Sequence, residues 1–205
     1  MIQALQERLD LKHGKFQMYG ASAGSISCVM AACAVDMQTA MQLNFNLPRK
    51  SDGYTHGQLV EMWLHQMLPS DCHITCSDRV NISITTITLS FLPLHRMVVD
   101  TFASKQDLID ACMASCHIPF FIDGNFSRTF HGHMCVDGSF LFWLHNTPWS
   151  GPEMDGNKRA LLLYYHSDKK LMEHHWGGIL SKLDKTSVIE MFNLGYEYGR
   201  DYVNL

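Results

Sequence analysis

Charge is scarce in this 205-residue sequence: Asp, Glu, Lys and Arg make up 18% of it and leave a formal net charge of -4. It has no basic stripe, so nucleic acid is not an expected partner. Long apolar runs are missing as well. No stretch reaches the roughly 18 residues that span a bilayer, and Met1 is not followed by the basic region and apolar core of a signal peptide. Any membrane contact is therefore expected to be peripheral. The seven cysteines are odd in number and contain no CxxC pair. Cys28, Cys33, Cys112 and Cys135 lie among apolar neighbours, where free thiols act as small hydrophobes, and this points to a reduced, intracellular setting. The CxxxC spacings Cys72/Cys76 and Cys112/Cys116 lack a matching second pair, and His131-x-His133 and His174-His175 lack acidic or cysteine partners at metal-site spacing. No metal and no cofactor is expected. Internal repeats, low-complexity tracts and long Pro/Gly/Ser linkers are also absent.

What is present is apolar: 46% hydrophobic content is enough for one sizeable core, and residues 1–205 are expected to form a single domain. Residues 1–9 (MIQALQERL) carry apolar positions at helical spacing, with Gly14 placed to stop the helix. Phe16 to Tyr19 has the character of a short buried strand, followed by GASAG at 20–24 and by SISCVMAACAV, a helix of small and apolar residues. Helices are expected within 36–50 and over 59–68, stopped by Pro48 and Pro69. VNISITTITLS (80–90) and LHRMVVDTFAS (94–104) alternate and are β-branched, which predicts an antiparallel hairpin around FLP. Ser104 and Asp107 resemble a capping box opening the helix KQDLIDACMASC, which Pro119 ends. HMCV (133–136) and ALLLYYH (160–166) are expected strands, and 186–203 an amphipathic helix through Ile189, Phe192 and Tyr196. Strands alternating with helices place the chain in the α/β class.

GxSxG carries chemistry when it lies on a tight strand-to-helix turn that points the serine hydroxyl outward. Here Gly20 and Gly24 flank Ser22, and both are expected to remove side chains that would clash. The N-terminus of the following helix favours charge developing on a substrate oxygen, with the Ala23 N–H a candidate oxyanion donor. The bland alternative is a small-residue turn that packs a helix on a sheet. A serine hydroxyl needs a base. His145, His166, His174 and His175 lie downstream, but a histidine triad of the α/β-hydrolase kind needs several strands before its serine, and only 21 residues precede Ser22. Asp137 follows the strand HMCV and precedes Gly138, so it projects from a strand end as Ser22 does. Asp123-Gly124 has the same form but follows IPFFI after a proline and has the character of a loop turn. Trp143 and Trp149, with Phe140 and Phe142, are candidates for core packing, for an acyl pocket or for dipping into a lipid surface. Met30, Met37 and Met41 fill gaps on helices.

Taken together, GASAGS (20–25), VNISIT (80–85), FASKQDLIDACMASCHIPFF (102–121), CVDG (135–138) and NLGYEYGRDYV (193–203) resemble patatin-like phospholipases, in the animal-type branch that includes adiponutrin and adipose triglyceride lipase. The resemblance implies a three-layer α/β domain with a central, mostly parallel sheet flanked by helices. It also implies a Ser–Asp dyad without histidine, which falls on Ser22 and Asp137. The implied activity is hydrolysis of long-chain acyl esters of triacylglycerol or glycerophospholipid. The implied partner is a lipid substrate, and the implied location is cytoplasmic, at a membrane or lipid-droplet surface. The chain departs from the family in two places. Ser139 stands where the family has Gly or Ala after Asp-Gly, and MIQALQERL matches the latter part of a helix that in the family follows a strand and a Gly-rich oxyanion loop. On this reading the chain is N-terminally truncated, and the oxyanion donors other than Ala23 are missing. The alternative is a patatin-fold lipid- or protein-binding module with impaired catalysis.

Overall fold

The computed structural model describes residues 1–48, 50–88, 94–141, 161, 163 and 185–202. In chain order the elements are α1 (Ile2–Gln6), β1 (Met18–Ala21), α2 (Ala23–Ala32), α3 (Met37–Asn46) and α4 (His56–Met67). There follow α5 (Cys72–Cys76), β2 (Val80–Ile87), β3 (Leu94–Val99), α6 (Lys105–Ser115), β4 (Arg128–Phe130), β5 (His133–Val136) and α7 (Lys185–Tyr202). They fall into two compact units, one made of Met1–Asp10 with Gly151–Leu205 and the other of Leu11–Ser150.

In the first unit α1 packs on α7. A side chain at Gly199 would run into the Met1 backbone, so the two helices approach closely there, and the Tyr196 hydroxyl donates to Glu7 Oε2 at 2.6 Å. α1 ends at Gln6, well before Gly14.

The second unit is built on β2. Val80, Ile82, Ile84 and also Ser83, Thr85 and Thr86 are buried, so both faces of this strand are covered, as for the inner strand of an α/β sheet. α2 and α6 pack on it, and Leu64 of α4 with Leu108, Ile109 and Met113 of α6 fills the core. The helix starts follow local chemistry. Thr55 and Gln58 form a reciprocal capping box at α4. At α6 the Ser104 hydroxyl accepts from the Asp107 N–H at 3.1 Å, while the Asp107 carboxylate reaches the N–H of Ala103 at 2.9 Å.

The α/β class with helices on a central sheet is as expected. Parallel pairing is found at β1–β2, and the β2–β3, β2–β5 and β4–β5 pairs are antiparallel. β4 and β5 are joined by a two-residue turn, His131-Gly132, with φ of 46° and 78°, the positive pair that suits a tight hairpin. The β2–β3 hairpin is the one predicted; its FLP turn, Val203 and all of the strand expected at 160–166 except Leu161 and Leu163 lie outside the described residues, and those two leucines are not assigned to a strand.

Candidate active site

β1 and β5 meet end to end along one edge of β2. β3 covers the opposite edge over residues 82–87, so β1, paired at 80–83, and β5, paired at 85–87, occupy the remaining edge in succession. β1 runs parallel to β2 and ends with Ala21 opposite Ser83. β5 runs the other way and ends with Val136 opposite Thr85. Ser22 and Asp137, the next residue of each strand, are thus delivered from opposite directions to the level of Ile84. Their side chains touch there: Ser22 Oγ donates to Asp137 Oδ2 at 2.5 Å, within the range of a hydroxyl on a carboxylate.

The turn at Ser22 is strained. Its φ of 53° and ψ of -133° fall outside the regions open to side-chain-bearing residues, at a cost of about 1–3 kcal/mol. Ser22 is the N-cap of α2 but makes no capping bond with its side chain, which forgoes about 1 kcal/mol more. The backbone is held on both sides instead. The Ser22 N–H donates to Ser115 Oγ at 2.9 Å, and the Ser22 carbonyl accepts from the Ser25 N–H at 2.9 Å and from the Ser25 hydroxyl at 2.6 Å. The two flanking glycines differ in role. A Cβ on Gly20 would collide with the Gly24 backbone, so α2 can lie against β1 only if residue 20 is glycine. A Cβ on Gly24 would meet no atom within 4 Å, which corrects the expectation that both glycines relieve a clash. Ala23 is exposed, and as the first residue of α2 its N–H has no partner inside the helix.

Asp137 is only 2% exposed, and this burial raises its carboxyl pKa above the ordinary range. Hydrogen bonds from Ser22 and Ser139 oppose the shift, the Ser139 N–H reaching Oδ1 at 2.8 Å. The departure at Ser139 therefore leaves a backbone donor on the carboxylate. The Asp137 N–H is held by the His117 carbonyl at 2.8 Å and the Gly138 N–H by the Ser115 carbonyl at 2.8 Å. His117 is fully buried, with Nε2 3.2 Å from the Asn125 carbonyl and Nδ1 unpaired among the described residues.

The rival Asp123 accepts from the Asn125 N–H at 2.9 Å and closes its own turn, whereas Ser22 Oγ bonds to Asp137. His131 pairs with Asp107 at 2.7 Å, and among the described residues no group of three or more potential metal ligands is found. Cys116, close to Asp137, is pushed up to about 12 by burial and by the aspartate charge, so it remains a thiol; burial does the same to Cys28. Phe140 is described, whereas Phe142, Trp143, Trp149, His145, His166, His174 and His175 lie outside the described residues. A cleft of about 350 Å³ lined by His13, Lys15, Phe16 and Arg79 sits before β1, at the end of that strand opposite Ser22. No described helix is long and apolar enough to cross a membrane. The sequence reading missed Ser25, Ser115 and His117. Two of these, Ser115 and His117, lie inside ASCHIPFF, where the polar atoms have no sequence spacing that marks them.

No family model matches the chain. Among curated proteins, the mouse 1-acylglycerol-3-phosphate O-acyltransferase Pnpla3 is 30% identical over 129 residues, 58% of this chain and 30% of that protein. Rat patatin-like phospholipase domain-containing protein 2 is 29% identical over 152 residues, 65% of this chain and 31% of that protein. The chain is similar to animal-type patatin-like proteins over 58–65% of its length. A mouse omega-hydroxyceramide transacylase is a third relative, 26% identical over 141 residues, 64% of this chain and 22% of that protein. The matched regions span less than a third of the length of these three relatives.

Proposed function

We propose that this patatin-like chain, read as one domain, is a serine acyl hydrolase acting on long-chain esters of triacylglycerol or glycerophospholipid. It would work at a membrane or lipid-droplet surface that it touches peripherally. The observation that carries the reading is the 2.5 Å bond from the half-buried Ser22 hydroxyl to the buried Asp137 carboxylate, at the N-terminus of α2. As Ser22 Oγ bonds to the ester carbonyl carbon, Asp137 Oδ2 takes the hydroxyl proton, and the negative charge on the carbonyl oxygen is met by the Ala23 N–H and the helix end. The ester C–O bond then breaks, the alcohol leaves with the proton from Asp137, and the acyl group stays on Ser22. Water attacks the acyl-enzyme and gives its proton to Asp137. The fatty acid departs, and the proton returns to Ser22 Oγ. Burial suits Asp137 to this work, because a carboxylate with a raised pKa is the stronger base.

A second reading is supported by the relatives named as an acyltransferase and a transacylase: the first half-reaction is unchanged, and a lipid hydroxyl replaces water in the second. Labelling with a fluorophosphonate, which forms a P–O bond to an activated serine and expels fluoride, tests the shared half. The chain should be labelled at Ser22, and Ser22→Ala should take up none. Labelling of Ser22→Ala at the rate of the unaltered chain would end both readings. Product analysis with and without an added long-chain alcohol separates hydrolysis from transfer.

A further inference from the structure

We propose that Ser115 is the positioning residue that sets the reach between Ser22 and Asp137, a role that rests on the dyad reading above. Three segments come together on this one residue. Ser115 Oγ donates to the Ser83 carbonyl at 2.7 Å and accepts from the Ser22 N–H at 2.9 Å, while the Ser115 carbonyl accepts from the Gly138 N–H at 2.8 Å. The first bond ties it to the central strand, the second to the serine turn and the third to the aspartate turn. Ser115 is fully buried as the last residue of α6, and the four residues before it (Ala111, Cys112, Met113 and Ala114) are buried too, so it is a fixed reference and not a mobile contact.

The hydroxyl both donates and accepts in this arrangement. Its single proton is on Ser83, so it can only accept from Ser22, and the strained φ of 53° is held by that acceptor on one side and by Ser25 on the other. Without Oγ, the Ser22 N–H and the Ser83 carbonyl both lose a partner, and the turn can relax away from Asp137. Because the Gly138 N–H binds the backbone of Ser115, Asp137 stays where it is. The defect is therefore one of distance between two intact groups. A misplacement of about 1 Å in such a pair lowers reactivity on the order of a hundredfold.

The test is the rate of fluorophosphonate labelling of the full chain as a function of pH, for Ser115→Ala, Ser115→Thr and Ser115→Cys. With Ser22 displaced, Asp137 loses a hydrogen bond that opposes its burial shift, so the acid limb of the profile moves to higher pH. Its titratable neighbours Cys116 and His117 are unaltered in every variant. Ser115→Ala should label on the order of a hundredfold more slowly with a raised limb, and on a short acyl ester kcat should fall while KM holds. Ser115→Thr, which keeps the oxygen, should return the limb to its original position. A merely structural role would change the melting temperature and leave the limb in place. If Ser115→Ala does not melt cooperatively, Cys decides against Thr, since a thiol is a weak acceptor, and equal limbs for those two overturn the proposal. Equal rates and limbs for Ser115→Ala and the unaltered chain overturn it as well. An unaltered chain that takes no label sinks the dyad reading itself, a result distinguishable from failure of Ser115 alone.

Discussion

A methyl group on Gly138 would strike the centre of this arrangement. The Cβ of Gly138→Ala would collide with the Ser83 carbonyl and stand 3.0 Å from Ser115 Oγ. Ser83 lies in the central strand, paired with Ala21 on one edge and with Val98 on the other, so it cannot yield; the aspartate turn must lift instead. Overpacking of this kind costs about 1–3 kcal/mol. Lifting the turn also breaks the bond from the Gly138 N–H to the Ser115 carbonyl, and leaving that buried pair unsatisfied costs about 1–3 kcal/mol more. For a chain of this size each kcal/mol moves Tm by about 2–4 °C, so the expected fall is roughly 4–24 °C. The same displacement carries Asp137 away from Ser22 and should slow fluorophosphonate labelling by about a hundredfold. Circular dichroism melts and intact-mass labelling kinetics measure the two effects. Gly24→Ala is the comparison: its methyl meets no atom within 4 Å, and at a helix position it should stabilise by at most about 1 kcal/mol. If Gly138→Ala melts and labels like the unaltered chain, the reasoning that joins this turn to β2 is refuted.

Burial raises the Asp137 pKa in the folded chain above its unfolded value. Stability through this group therefore falls as pH rises between the two values, and the loss is complete above the folded one. Asp137→Asn should thus raise Tm at neutral pH, by an amount that shrinks towards the unfolded carboxyl pKa of about 3.9, while labelling is lost; a gain that grows on acidification would contradict this. Labelling of the unaltered chain should switch on above the ordinary carboxylate range, and an acid midpoint at or below about 3.9 would rule out Asp137 as the base. Cys28 and Cys116, both pushed up to about 12, should react with iodoacetamide at pH 8 on the order of a thousandfold more slowly than a free thiol, as read by peptide mass spectrometry. Rapid alkylation of either in the folded chain would show that its burial is overstated.

Local patterns were legible and long-range ones were not. The alternating, β-branched run at 80–99 announced the β2–β3 hairpin, and small residues on both sides of Ser22 announced a tight turn into a helix. The strand before it lies two residues later than the apolar run Phe16 to Tyr19 suggests, because Gly20 and Ala21 extend the ladder with β2 before the turn begins. α5 and β4 are each too short to show a period, whereas Thr55-x-x-Gln58 is a local capping signal for α4. Both members of the candidate dyad could be named because a strand followed by a polar residue and glycine is a local pattern. The link between them could not: it depends on Ser115, whose bonds reach 32 and 93 positions along the chain and leave no periodic trace.

The shared edge of β2 also has a consequence for the order in which the chain folds. β1 can dock early with the hairpin, but the hydroxyl of Ser22 has no acceptor until β5, whose end lies 115 positions further on, has paired with the other half of that edge. Contacts of such separation are slow to form, since a long loop must be ordered before they return any stability. Through most of synthesis and refolding the serine is then an ordinary alcohol. On the dyad reading, reactivity arrives with the pairing of β5, so labelling competence during refolding reports that pairing and not the docking of β1.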